Sequence, residues 1–201
     1  MTRVYLEAGK TWTFACAIDW PGWCRRAKGG EEAAIGALLE YAPRYRPVAG
    51  SRWKPDVVDI VGRIRGDATT DFGAPHAIGK WDEEPLSAAD QRGQLKLLQR
   101  TWDHFDKVVA SAPAELRKGP RGGGRDRDKI VDHVREAERA YAPKAGIRIP
   151  PRTPWPEHRA MIVAGLRDPV DDVKWPWRYV VRRIAWHVLD HAWEIQDRSQ
   201  S

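Results

Sequence analysis

Apolar and polar side chains alternate along the first third of the chain with the period of β-strands. Phe14, Cys16 and Ile18 are separated by smaller residues, and this alternation predicts a strand with one buried face. Equivalent patterns place the predicted strands at residues 4–7, 12–18, 23–28 and 57–64. Apolar residues at helical spacing over 31–41 predict a helix between the third and fourth strands. Residues 1–64 are therefore predicted to form an α+β module with the order β-β-β-α-β.

Beyond residue 86, apolar side chains recur at intervals of three and four residues, the spacing of amphipathic helices. Ser87 opens the first of these helices with a capping box, and no Pro or Gly interrupts the last one. The four predicted helices cover residues 87–112, 127–141, 156–168 and 177–198. The sequence therefore predicts that the α+β module is followed by an all-α four-helix bundle over residues 87–201.

Residues 65–86 separate the two predicted units. The stretch is punctuated by Gly66, Gly73, Pro75, Gly79 and Pro85. Such a composition predicts a linker. Its length leaves a second interpretation open, in which the segment folds over a pocket of the next domain.

The composition indicates a globular protein. Of the 201 residues, 42% are hydrophobic and 31% are charged, and no apolar stretch approaches the roughly 18 residues of a membrane span. The first residues lack the apolar core of a secretory signal, so we expect a cytoplasmic location. Cys16 and Cys24 are too few for a disulfide scaffold and lack metal-ligand spacing, so we expect them to be buried thiols.

Three histidines are candidate metal ligands. His187 and His191 lie one turn apart in the apolar sector of the last predicted helix, and His133 lies at the edge of the apolar stripe of the second. Three imidazoles bound to one divalent ion leave an open position, as in catalytic sites, and Zn²⁺, Ni²⁺ or Fe²⁺ suits such ligands. Hydrogen-bonded core histidines are the alternative. His158, in the first turn of the third helix, is expected to be exposed.

The helix order and the histidine spacing carry a family resemblance. The second predicted helix contains His133-Val-Arg-Glu-Ala-Glu138, and the fourth contains Arg183-Ile-Ala-Trp-His-Val-Leu-Asp-His-Ala-Trp-Glu194. Residues 87–198 resemble the DinB/YfiT-like metalloprotein superfamily, whose three metal-binding histidines match His133, His187 and His191. Characterised relatives include thiol-dependent S-transferases and isomerases that use bacillithiol or mycothiol. The resemblance implies a metal-activated thiolate that attacks a small electrophilic substrate.

A weaker resemblance covers the first quarter of the chain. Asp19-Trp-Pro-Gly22 leads through Gly29-Gly-Glu-Glu-Ala33 into the predicted helix, and this arrangement resembles the HicB-like antitoxin module. HicB antitoxins normally add a DNA-binding segment, but no ribbon-helix-helix or helix-turn-helix pattern follows here, so repressor function is not implied. The alternative function that remains is a non-enzymatic, metal-stabilised interaction or regulatory protein that uses this module as its interaction surface.

Two charged residues of the last predicted helix are candidates for catalytic roles. Arg183 and Glu194 lie on the same side of this helix as the histidines. Glu194 would orient a ligand imidazole as a hydrogen-bond acceptor, and Arg183 would bind a substrate carboxylate through a two-pronged contact. Surface or inter-helix ion pairs are the alternative for both residues, and this alternative stays open.

A glycine-rich basic loop over residues 117–129 precedes the second predicted helix. It carries six basic and two acidic side chains, and such a loop can bind an anion through backbone N–H groups. Arg121 and Arg125 are therefore predicted to contact an anionic thiol or substrate, with a flexible solvated loop as the alternative. Nucleic-acid binding is disfavoured, because Asp126 and Asp128 interrupt the basic residues and no aromatic residues are interleaved. A homodimer stays open, since the sequence does not determine the oligomeric state.

Overall fold

A computed structural model of the chain describes residues 1–55, 57–119 and 123–199, and these residues form a mixed α and β structure. The strands are β1 (Thr2–Ala8), β2 (Thr13–Ala17), β3 (Cys24–Ala27) and β4 (Val58–Arg65). They form one sheet in the order β3-β2-β1-β4, with β4 parallel to β1 and the other neighbours antiparallel. The strands predicted from alternation differ from the observed ones only at their ends.

Helices cover one face of the sheet: α1 (Glu31–Glu40) and α2 (Ala42–Ala49). The sequence did not predict α2, because Pro43 and Pro47 lie within its eight residues and Pro disfavours a helix interior. Tertiary contacts stabilise it instead. Tyr45 is fully buried and stacks on Trp23 with 5.9 Å between ring centroids, and its hydroxyl donates to the carbonyl of Pro21 at 2.9 Å.

The other face of the sheet is covered as well, so the prediction of a half-exposed second strand was wrong: all five residues of β2 are buried. Residues 65–86, predicted as a linker, pack on this face and contain the short helix α3 (Ala68–Phe72) and a 3-10 turn at Lys80–Asp82. Trp81 stacks on Tyr5 of β1, with 4.5 Å between ring centroids. A strand that is buried on both faces has no polar face. The alternation in β2 is therefore between large and small residues and not between apolar and polar ones.

Glu7 of β1 anchors this covering segment. Its carboxylate is fully buried and accepts hydrogen bonds from the hydroxyl of Thr70 at 2.7 Å and from the backbone N–H groups of His76 and Ala77 at 3.0 and 3.1 Å. Three donors satisfy a carboxylate that burial would otherwise destabilise. The carbonyl groups of residues 75–77 are thereby fixed next to the last helix of the chain.

The remainder of the chain is helical and consists of α4 (Ala88–Ser111), α5 (Arg127–Tyr141), α6 (Trp155–Arg167) and α7 (Trp177–Ser199). All four contribute apolar side chains to one core, among them Leu98, Ile130, Ile162 and Ile184. These helices agree with the prediction from apolar periodicity. None of the described helices is both long enough and apolar enough to cross a membrane.

α7 is buried on nearly every side because it packs against both parts of the protein. Ile184 belongs to the core of the helical part, whereas Leu189 and Trp193 join the core between the sheet and the helices α1 and α2. Trp186 packs edge-on against Phe14 on the opposite face of the sheet, with 6.4 Å between ring centroids. The helix that carries two of the candidate metal ligands is therefore also the element that joins the two parts.

Two expectations about individual residues were wrong. Cys16 and Cys24 form a disulfide instead of remaining thiols, because the antiparallel pairing of β2 and β3 places them directly opposite each other. His158 is fully buried and not exposed. Its Nε2 lies 3.3 Å from Oε2 of Glu138, and the ring of Trp155 stacks on its imidazole.

Candidate metal centre

Three histidines from two helices come together at the predicted site. α5 carries His133, and α7 carries His187 and His191 one turn apart. Each imidazole offers one nitrogen that lies within 4.8 Å of the corresponding nitrogens of the other two. The Nε2 atoms of His133 and His187 are 3.3 Å apart. Because four residues complete about one helical turn, the spacing of His187 and His191 places both rings on the face of α7 that meets α5.

One pair of these nitrogens has the separation expected for two ligands of a divalent metal ion. Zinc binds an imidazole nitrogen at about 2.0–2.1 Å, so two ligands of a tetrahedral site are about 3.4 Å apart. The separation of His133 and His187 is close to this value. The rings of His133 and His191 are partly exposed, whereas the ring of His187 is buried. A tetrahedral ion bound in this way has one position left for another molecule.

Burial keeps two of the imidazoles neutral, which metal ligation requires. His187 is only 7% exposed; burial and the neighbouring His191 and His133 lower its pKa well below the ordinary value of 6.5. Burial, followed by the charge of His191, also lowers the pKa of His133. At neutral pH both rings therefore keep the nitrogen lone pair that a metal ion needs.

Glu194 orients the third imidazole. Its Oε2 lies 2.8 Å from Nδ1 of His191, and its Oε1 accepts from Arg198 at 2.7 Å. Partial burial raises the pKa of Glu194, but the hydrogen bonds and charges of His191 and Arg198 outweigh burial, so the pKa is lowered. An ionised carboxylate at Nδ1 holds the imidazole proton there and leaves Nε2 for a metal ion. The structure therefore combines the predicted contact to a candidate ligand histidine with an ion pair to Arg198.

Arg183 lies one turn before His187 on α7 and is 9% exposed. One terminal nitrogen, Nη1, donates to the carbonyl of Pro75, and the other, Nη2, lies 3.4 Å from the hydroxyl of Tyr141. The guanidinium carbon is 4.8 Å from the ring centroid of Trp186. Within the described parts of the chain, no carboxylate forms an ion pair with Arg183.

The basic loop before α5 lies beside the histidines. Arg121 falls outside the described residues. Arg125 is exposed and near enough for its charge to lower the pKa of both His133 and His187. A backbone hydrogen bond of 3.0 Å from Arg117 to the carbonyl of Arg198 holds the loop against the end of α7. Arg125 therefore adds positive charge to the surroundings of the triad, and its contact with an anion stays a prediction.

Sequence reasoning did not assign two residues that border the site. Tyr141 is partly buried and packs against the helical core, and its ring centroid lies 5.9 Å from that of His187. Tyr141 lies on the same helix as His133, about two turns further on, and this spacing could have indicated that it borders the site. Pro75 had no such signal, because only the tertiary structure brings residues 65–86 against α7.

No protein-family model, curated protein or solved structure matches the chain. The resemblances to the DinB/YfiT-like superfamily and to the HicB-like module therefore stay predictions.

Proposed function

We propose that the chain is a metal-dependent enzyme of the thiol S-transferase or isomerase type, that α4–α7 form a DinB-like bundle, and that the substrate is a small electrophilic molecule. The supporting observation is the cluster of three imidazoles, which includes no fourth protein ligand from the described residues. Structural zinc sites are normally closed by four protein ligands, whereas catalytic sites keep one position open. A position left open by three protein ligands would favour a catalytic role over a purely structural one.

A bound divalent cation, with Zn²⁺, Ni²⁺ and Fe²⁺ as the candidates, would lower the pKa of an adjacent thiol and so supply a thiolate nucleophile. The resemblance implies mycothiol or bacillithiol as the thiol. The protein residues have the remaining tasks. Glu194 keeps Nε2 of His191 available by holding the proton on Nδ1, the buried surroundings of His187 limit the access of water, and the charge of Arg125 attracts an anionic thiol.

Metal analysis of the purified protein tests the site. We expect about one divalent ion per chain, and His187→Ala should lose most of it, because two ligands hold a metal ion far less well than three. His104→Ala is the matched control, since this histidine lies on α4 and is not part of the cluster. Equal metal content in the wild type and in His187→Ala would disprove the site.

Thiol binding tests the proposed chemistry. In protein substituted with Co²⁺, a small thiol should change the visible spectrum by occupying the open position, and the thiol should then be consumed together with a reactive electrophile such as an alkyl halide. The rate should exceed that of the same thiol without protein, and His187→Ala should remove the excess. A spectrum that no thiol changes would exclude thiol activation.

One observation favours a non-enzymatic alternative. α7 carries two of the histidines and also packs into the α+β module through Leu189 and Trp193, so metal binding would stabilise the junction between the two parts. A metal-stabilised interaction protein would then use the HicB-like module as its contact surface. Such a protein should gain thermal stability from metal but show neither thiol-dependent spectral change nor consumption of an electrophile.

A further inference from the structure

Two adjacent arginines on α7 differ sharply in how their charge is balanced. Arg182 is buried and forms a two-pronged ion pair with Asp82, with Nε–Oδ1 and Nη2–Oδ2 distances of 2.7 Å each. Arg183 is buried to a similar extent but has no carboxylate partner among the described residues. A buried charge is costly unless it is paired. The unbalanced charge of Arg183 therefore requires an explanation that Arg182 does not.

The free hydrogen-bond donors of Arg183 lie on one edge of its guanidinium group. Nε is buried and has no hydrogen-bond partner in the described structure. Nη2 reaches only the hydroxyl of Tyr141, at the long distance of 3.4 Å. The N–H groups of Nε and Nη2 are parallel and form the fork that binds the two oxygens of a carboxylate. Nη1 is used differently, since it donates to the carbonyl of Pro75.

The same edge of Arg183 is close to the histidine cluster. Tyr141, which Nη2 approaches, also contacts the ring of His187, with 5.9 Å between ring centroids. Tyr141 itself is only partly buried. The guanidinium fork and the triad therefore border one site.

We propose that this site takes a small molecule with a carboxylate group, which binds to Nε and Nη2 of Arg183 while its reactive end lies at the three histidines. The inference rests on the proposed function and adds the substrate class. Trp186, stacked against the guanidinium at 4.8 Å, and the carbonyl of Pro75 hold the fork in place. Arg183 is accordingly a specificity residue that selects acids over neutral molecules of the same length.

A role for Arg183 solely in anchoring residues 65–86 is the competing explanation. Its bond to Pro75 serves that role, but Tyr179 and Arg182 already donate to the carbonyls of His76 and Ala77, each at 2.8 Å. Anchoring also uses only one nitrogen of Arg183. Anchoring does not account for the N–H groups of Nε and Nη2 or for the buried positive charge.

Pairs of thiols test the inference in the Co²⁺-substituted protein. Mercaptoacetate, 3-mercaptopropionate and 4-mercaptobutyrate are titrated against mercapto-alcohols of the same chain lengths, and the thiolate-to-cobalt absorption reports binding without any turnover. We expect at least one acid to bind about 10- to 100-fold more tightly than its alcohol, the range of a hydrogen-bonded charge pair. Arg183→Gln should abolish this preference and leave the affinity for the alcohols nearly unchanged.

Two further variants distinguish binding by the Nε–Nη2 fork from a general effect of positive charge. Arg183→Lys keeps the charge but loses the fork, so it should retain only part of the preference; it also replaces Arg183→Gln if that variant does not fold. Arg92→Gln removes one positive charge from an exposed position on α4 and should keep the full preference.

The outcomes distinguish the inference from the proposed function. If no thiol changes the spectrum of the wild type, the proposed function fails and the inference fails with it. If thiols bind but acids and alcohols have equal affinities, only the inference is overturned. A preference for acids that survives in Arg183→Gln would also overturn it, since the carboxylate would then be bound elsewhere.

Discussion

Nδ1 of His191 lies 2.8 Å from Oε2 of Glu194, three residues further along α7. This contact joins a candidate ligand to a carboxylate that Arg198 binds on its other oxygen. Because the carboxylate holds the proton on Nδ1, it decides which nitrogen of the ring faces a metal ion. Glu194 thus connects Arg198 to the histidine cluster through His191.

We expect Glu194→Ala to lower metal affinity by about 10- to 100-fold, the usual effect of removing an outer-shell partner of a ligand histidine. Competition with a chromophoric chelator measures this change. Glu136→Ala is the control, because Glu136 lies three residues from His133 on α5 and is paired with Arg139 instead, at 3.7 Å. Equal losses in both variants would show that Glu194 has no special role.

Gly22→Ala should destabilise the protein by about 2–5 kcal/mol, because strain at a positive φ and overpacking add up. Gly22 has φ +89°, and an added Cβ would lie 2.6 Å from Cδ1 of Leu189 on α7. Urea unfolding measures the change. Gly36→Ala is the matched control: Gly36 lies inside α1, where a Cβ meets nothing within 4 Å, so it should add about 0.5–1 kcal/mol of stability. Similar effects of both substitutions would contradict the close approach of α7 to this turn.

Glu138→Ala should cost about 1–3 kcal/mol of stability, because it leaves the buried N–H of Trp102 without its acceptor. Glu138 is fully buried, accepts from Nε1 of Trp102 at 2.7 Å and lies 3.3 Å from Nε2 of His158. Glu138→Gln keeps an acceptor for Trp102 and should cost less. Chemical denaturation of both variants tests this, and an alanine variant as stable as the wild type would contradict it.

His104 should make the protein less stable in mild acid. Burial, and then the charges of Arg44 and Lys107, lower its pKa below 6.5. Since the unfolded chain then binds a proton more readily than the folded one, this contribution to stability is present above about pH 6.5 and is lost as the pH falls towards the folded-state pKa. His104→Gln should therefore lose less stability between pH 7 and pH 5 than the wild type, as followed by urea midpoints. Parallel pH curves for the two proteins would rule this contribution out.

Periodicity alone predicted much of this protein. The spacing of apolar side chains located the strands and the helices α4, α5, α6 and α7, because a buried helix face repeats every three to four residues and a strand face every two. The same pattern placed His133, His187 and His191 on inward faces. These are local properties, since they depend only on residues one or two turns apart.

The tertiary structure decided what those faces meet. Periodicity reports that a side chain is buried but not which partner it has, so the disulfide of Cys16 with Cys24 and the burial of His158 beside Glu138 were not predicted. α2 forms despite its two prolines because packing around Tyr45 outweighs local propensity. The sequence likewise did not predict that Arg183 lacks a carboxylate partner among the described residues. Whether a carboxylate lies near a buried guanidinium depends on chain segments that are distant in sequence and become adjacent only after folding.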